Sequence, residues 1–354
     1  MSQHPYVSAP ARAFWSKGVA RNWQPSEAVQ ASQMLVRHGE KVMSAGSCFA
    51  ANLVPYLEGA GFTYVRTERP HKAFGAVAAE NLSYDKFSAA YGNIYTARQI
   101  KQLLLRALGR FRPAEDRWPG KDGITDPFRP GLRHKARSDA EFDALTRQHL
   151  ARTLQAFSEA DVLIYTLGLT EAWTSCIDGA VFPACPGTVA GSFDAKKHVF
   201  HNFSVAETAQ DLGDFLELLR DINPRVRVIL TVSPVPLVAT ATSQHVLVAT
   251  TYSKSVLRVA AQETVLRHHG VTYFPAYEIV TGPQAPESFF TETRRDVSRD
   301  AIDVVMGAFF ATCEDGIPAP PRPAAEQSRP QSASFSRGLI EAECEEAFAD
   351  RGAD

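Results

Sequence analysis

Residues 41–62 read KVMSAGSCFAANLVPYLEGAGF. An apolar run at Lys41–Ala45 breaks at Gly46-Ser47, and the spacing of apolar residues then predicts a helix over Ala50–Glu58. A strand that turns straight into a helix is the opening of a βαβ unit, and the same alternation recurs downstream. Strands are predicted at Asp161–Leu167, Val226–Val232 and Val271–Phe274. Helices are predicted at Thr96–Leu108, Glu141–Glu159, Val205–Arg220, Ser253–His268 and Ser298–Phe310. The helix beginning at Val205 must stop before Pro224, which cannot continue it. The expected fold class is α/β: a three-layer, flavodoxin-like parallel sheet with helices on both faces.

The 354 residues, 45% of them apolar and 21% charged, supply ample material for a core. A formal charge of −2 gives no reason to expect nucleic acid or an anionic membrane as partner. No apolar run approaches the roughly 20 residues that span a bilayer, and MSQHPYVSAPARAFW lacks the layout of a signal peptide. The cytoplasm is the expected compartment. The five cysteines form no CxxC pair, which argues for free thiols rather than disulfides or zinc. There is also no P-loop, no GxGxxG and no histidine pair at ligand spacing on a helix, so no cofactor is expected.

The chain divides into an N-terminal extension over 1–39, expected to pack on the core, a domain over 40–315, and a Pro/Ala-rich tail over 316–354 expected to be disordered. Residues 110–140, with four prolines and three glycines, are too irregular for a regular element. A segment of this kind is a lid, a binding surface or a plain ordered insertion. Within the tail, LIEAECEEAFADR (339–351) has the pattern of a short amphipathic helix, which either frays or docks on a protein partner.

In an open parallel sheet the ligand crevice lies beyond the carboxyl ends of the strands. The residues to inspect are therefore Gly46-Ser47-Cys48, Gly168-Leu169-Thr170-Glu171 and Ser233-Pro234-Val235-Pro236. A serine between strand end and helix start is expected to be exposed at that crevice, beside helix N–H groups able to stabilise an oxyanion. The competing role for Ser47 is a helix N-cap, worth about 1 kcal/mol. Cys48 is either a rival nucleophile or a small buried apolar residue.

The block SAGSCFA (44–50) resembles the defining block of the GSCFA family, itself similar to the SGNH/GDSL hydrolases. The resemblance continues through AYGNIYTARQ (90–99), TLGLTEAW (166–173), TVSPVPL (231–237), SKSVLR (253–258) and YFPAYEI (273–279). It implies an SGNH-like domain and a serine esterase or O-acyltransferase acting on a carbohydrate-linked acyl group, with Ser47 as nucleophile. A later glycine and asparagine of that pattern complete the oxyanion hole, which assigns Gly168 and Glu171 to the Gly-x-Asn-Asp/Glu block with Thr170 in place of the asparagine. Gly92 and Asn93 are the other candidates there, Asn93 as an amide donor or as a turn residue.

The Asp-x-x-His base of the pattern is absent, since its positions fall on Thr293 and Asp296, and no histidine follows His269. The rival expectation is accordingly a non-catalytic glycan-binding or assembly protein. If a base is recruited from elsewhere, His198 and His201 in HVFHNFS are the candidates, since one ring could swing over the crevice. His245 and His71 are weaker, and His268 and His269 are expected at a helix C-terminus, where positive charge suits the dipole. Lys254 is a base only if burial lowers its pKa; otherwise it is a solvated or phosphate-contacting lysine. Ser233 follows a buried strand on a proline-stiffened loop. Trp173, Tyr277 and Glu278 form either a sugar platform or ordinary packing, and Arg258 either binds an anion or makes an ion pair.

Overall fold

The computed structural model describes residues 4–29, 34–69, 87–132 and 134–314, apart from the side chain of Cys48. His71, the tail beyond residue 314 with its amphipathic segment, and the thiol of Cys48 thus lie outside the described residues.

Five parallel strands make the central sheet: β1 (Lys41–Gly46), β2 (Thr63–Tyr64), β5 (Val162–Leu167), β9 (Arg227–Val232) and β10 (Val271–Tyr273). Their spatial order, β10-β9-β5-β1-β2, is the flavodoxin-like order, in which the first strand lies between the second and third. β5 is central and buried along its whole length, as a parallel strand covered on both faces must be, which is why it reads as a continuous apolar run.

Alternation along the strands sorts the core into two layers. Met43, Leu163, Tyr165, Val228 and Leu230 face α4 (Ala97–Ala107), α5 (Asp139–Glu159), α6 (Val205–Ile222) and α7 (Val246–Arg267). Val42, Val162, Ile164 and Ile229 face α2 (Cys48–Ala51), α3 (Val54–Gly59), α8 (Ala276–Thr281) and α9 (Arg299–Phe310). Leu35 and Val36, at the end of the N-terminal extension, are buried in the second layer. A short helix, α1 (Trp15–Gly18), precedes them. No helix among the described residues is long and apolar enough to cross a membrane.

Two smaller sheets sit outside these layers. A hairpin joins β3 (Trp118–Gly120) to β4 (Gly123–Thr125) within the 110–140 segment, and β6 (Glu171–Ser175) pairs antiparallel with β7 (Val181–Phe182) and β8 (His198–Asn202). Glu115 ties this hairpin region to the small sheet, accepting from Trp118 Nε1 at 2.5 Å and pairing with His198 Nε2 at 2.9 Å.

Residues 90–96 form a strap across the carboxyl ends of β1 and β5. Its near end is held by a buried charge cluster: Glu68 accepts from the Ala90 N–H at 2.8 Å, and Arg129 Nη1 donates to the Ala90 carbonyl at 3.3 Å. Glu68 also pairs with His149 Nδ1 at 2.7 Å, and Arg129 with Asp126 at 2.8 Å. Its far end is held by the capping box in which Thr96 and Gln99 satisfy each other's backbone at the start of α4.

Candidate active site

The strap lies at the switch point of the sheet, where β1 has β2 on one side and β5 on the other, the usual ligand crevice of this topology. Ile94 N–H donates to the Gly46 carbonyl at 2.8 Å, and the Gly168 and Leu169 N–H groups both donate to the Tyr95 carbonyl, at 2.9 and 3.2 Å. The strap therefore bridges the residue before Ser47 to the loop after β5. Gly92 turns into it with φ +68°, and Asn93 sits half-buried beside Ile94.

Ser47 follows β1 in extended conformation (φ −75°, ψ 179°) as the N-cap residue of α2, but its side chain makes no capping hydrogen bond. The exposure expected of it is not found: the residue is 3% exposed and its Oγ is buried without any partner among the described residues. An unsatisfied buried hydroxyl costs about 1–3 kcal/mol, so this serine carries an unmet hydrogen-bonding demand rather than a stabilising cap.

The loop after β5 is fixed from every side. Besides the two N–H groups on Tyr95, the Thr170 N–H donates to Ser253 Oγ at 3.0 Å and the Thr170 hydroxyl to Asn202 Oδ1 at 2.6 Å. Lys254, 2% exposed on α7, donates from Nζ to the Gly168 carbonyl at 2.6 Å. The sequence assigned Gly168 and Thr170 to an oxyanion hole; their donors are spent inside the protein, and a Cβ on Gly168 would meet Tyr95 at 3.1 Å. The glycine permits close packing of the strap. Lys254 is buried, not solvated, and acts as a strut: Lys254→Ala is expected to destabilise the fold by roughly 2–4 kcal/mol in urea denaturation, because it strips a buried carbonyl of its donor.

Other expected site residues are likewise engaged. Glu171, the first residue of β6, accepts from Thr240 Oγ1 at 2.6 Å and Ala241 N–H at 3.2 Å, so it anchors the loop after β9. Ser233, 1% exposed, accepts from the Val235 N–H at 3.3 Å in a local turn. Glu278 takes Arg258 Nε at 2.7 Å and the Tyr273 hydroxyl at 2.8 Å. Burial and this carboxylate push the Tyr273 phenol above its ordinary range. Tyr277 packs against the core, while Trp173 stands edge-on to Phe193 and Phe200 in the small sheet. Glu278 is thus engaged by Arg258 and Tyr273, and Arg258 ends in an ion pair.

Neither candidate histidine touches Ser47. His198 is buried with both ring nitrogens in use, Nδ1 accepting from the Asp194 N–H at 3.0 Å and Nε2 on Glu115. His201 pairs through Nε2 with Glu207 at 2.8 Å and stacks edge-on to Phe203. Strand alternation puts His201 on the opposite face of β8 from Asn202, the residue that reaches Thr170. Glu207 is held below the usual carboxylate range: burial opposes its charge, but hydrogen bonds from Ser204 and His201 outweigh that. His245 caps α7, accepting from the Leu247 N–H at 3.2 Å, and His268 at the helix end is lowered in pKa by burial and by Arg220, against the expectation that the dipole would favour its charge. Thr293 and Asp296 close a tight turn on each other, with Thr293 Oγ1 donating to Asp296 Oδ2 at 3.1 Å.

The profile of the GSCFA family matches residues 41–309, from the first residue of β1 to within one residue of the end of α9. The chain belongs to the GSCFA family. No curated protein matches it. A solved structure of a Corynascus thermopiles (Myceliophthora fergusii) carbohydrate esterase family 2 enzyme with its carbohydrate binding domain is similar, with a TM-score of 0.30 and 13% identity, over 78% of this chain and 67% of that one. Two residues of this GSCFA domain lie in the stretches HVFHNFS and SKSVLR but have no role assigned from the sequence: Asn202, the partner of Thr170, and Ser253, the partner of its N–H. Strand pairing and helix placement bring them to the loop, so the local pattern alone does not show what they bind.

Proposed function

We propose that this protein is an SGNH-like serine ester hydrolase or O-acyltransferase acting on a carbohydrate-linked acyl group, with Ser47 as nucleophile. The observation that carries this reading is the orphaned Ser47 Oγ at the switch point, set between β1 and α2 in a GSCFA domain. A hydroxyl kept buried without a partner is destabilising, and such a cost is typical of groups retained for chemistry. Attack by Oγ on an acyl carbonyl would form an acyl-serine as the ester C–O bond breaks and the released sugar oxygen takes up the serine's proton; water or a second hydroxyl then resolves the acyl-serine and frees Ser47.

A second reading has its own support. The Asp-x-x-His positions hold Thr293 and Asp296, and among the described residues no imidazole meets Ser47 Oγ, which favours a glycan-binding protein without turnover. Treatment with a fluorophosphonate followed by peptide mass spectrometry separates the two. An adduct on Ser47, absent from Ser47→Ala, is the expected result; a folded protein that stays unlabelled would direct attention to binding instead. Independently, Ser47→Ala is expected to raise stability by about 1 kcal/mol in thermal or urea unfolding, because it deletes the unsatisfied hydroxyl.

A further inference from the structure

A serine that adds to an ester needs a hydrogen-bond donor for the acyl oxygen. The loop after β5 cannot supply one itself. Its N–H groups at Gly168, Leu169 and Thr170 go to Tyr95 and Ser253, and the Thr170 hydroxyl goes to Asn202. What remains at this loop is the other end of the same side chain: Asn202 is half-buried, its Oδ1 is fixed by Thr170, and its Nδ2 makes no hydrogen bond to a described residue.

We propose that Asn202 Nδ2 is the donor that binds the substrate's acyl carbonyl oxygen, and that Thr170 is a positioning residue that sets the amide with its nitrogen outward. The assignment rests on the esterase reading above. An amide has two ends of nearly equal size, and here the Thr170 hydroxyl donates to the carbonyl end at 2.6 Å, which leaves Nδ2 as the end turned away. Burial of Thr170 at 1% exposure keeps water from competing for that bond. Asn202 is also held from behind, since its backbone pairs with Glu171 in the β6–β8 ladder and the next residue, Phe203, donates its N–H to the Thr170 carbonyl at 2.9 Å. The threonine in place of an asparagine in GLTE is then a relocation of the amide to a neighbouring strand and not its loss.

The test is the rate of fluorophosphonate labelling of Ser47, where the phosphonyl oxygen takes the place of the acyl oxygen, with each variant's melting curve measured alongside. Asn202→Asp retains an acceptor for Thr170 but has no donor, and is expected to slow labelling on the order of 100-fold or more. Asn202→Ala should slow it comparably, Thr170→Val by about 10-fold through lost orientation, and Thr170→Ser should restore the wild-type rate, which a purely structural role would not single out. Wild-type labelling with an unchanged rate in folded Asn202→Asp or Asn202→Ala overturns this proposal alone. Absence of labelling in the wild type overturns the esterase reading and this assignment with it.

Discussion

Gly46→Ala is expected to destabilise the protein by about 4 kcal/mol or more, and to do so through the strand pair that presents Ser47. Gly46 has φ +142°, a backbone region that side-chain-bearing residues rarely adopt. An added Cβ would lie 2.4 Å from the Thr166 carbonyl oxygen, 2.8 Å from its Cβ and 2.9 Å from its nitrogen. Gly46 and Thr166 are register partners at the ends of β1 and β5, so the obstacle is the backbone of the central strand, which cannot turn aside as a flexible side chain would. Strain of about 1–3 kcal/mol from the dihedral adds to overpacking of similar size. Urea denaturation of the variant reads the sum. A loss below about 1 kcal/mol would mean that the strand ends part easily, and that Gly46 does not fix where Ser47 stands.

How much of this was legible in sequence differs by the range of the interaction. The break after Ala45 put Ser47 between a strand and a helix, as found, because these are neighbours in the chain; its burial, and the split of the expected Ala50–Glu58 helix into α2 and α3, were not foreseen. Likewise β5 announced itself through an unbroken apolar run. The start of α7 was placed seven residues late, at Ser253 rather than Val246, since Leu247 and Val248 on its first turn are exposed and give no amphipathic rhythm. The small sheet was not foreseen: Glu171–Ser175 and His198–Asn202 are short, and most of their contacts are to each other. The histidines failed for the same reason. Sequence gives the residue type, but the partner of His198 is Glu115, 83 positions away, and that pairing decides whether an imidazole is a base or a fastening. His149, which no motif marks, is the histidine that anchors the strap.

That anchor predicts how the protein responds to acid. Burial opposes charge on Glu68, but His149, Arg129 and the Ala90 N–H together outweigh it and hold its carboxyl down at about 2, against an ordinary 4.5. The folded state therefore prefers ionised Glu68. The stability it contributes is complete above about pH 4.5 and is lost as pH falls toward 2. His149 acts in the same direction. Burial, with Arg129 nearby, lowers its pKa below 6.5 in spite of Glu68, so the folded state prefers the neutral ring and begins to lose stability once pH drops below 6.5. Glu68→Gln keeps an acceptor for the Ala90 N–H while removing the charge that faces His149 and Arg129. It is expected to cost about 2–3 kcal/mol at pH 7, and the gap to wild type should narrow as pH falls below about 4.5 and close as it approaches 2, where wild-type Glu68 takes up a proton as well. Urea melts of both proteins across that range would show it. A difference that stays constant with pH would assign the effect to packing and hydrogen bonding, leaving the ion cluster without a role in holding the strap. Because Ala90 begins the segment that carries Asn93 and Ile94 to the end of β1, the same titration should loosen the crevice before the sheet itself unfolds, visible as earlier amide exchange at Ile94 than at Ile164 in β5.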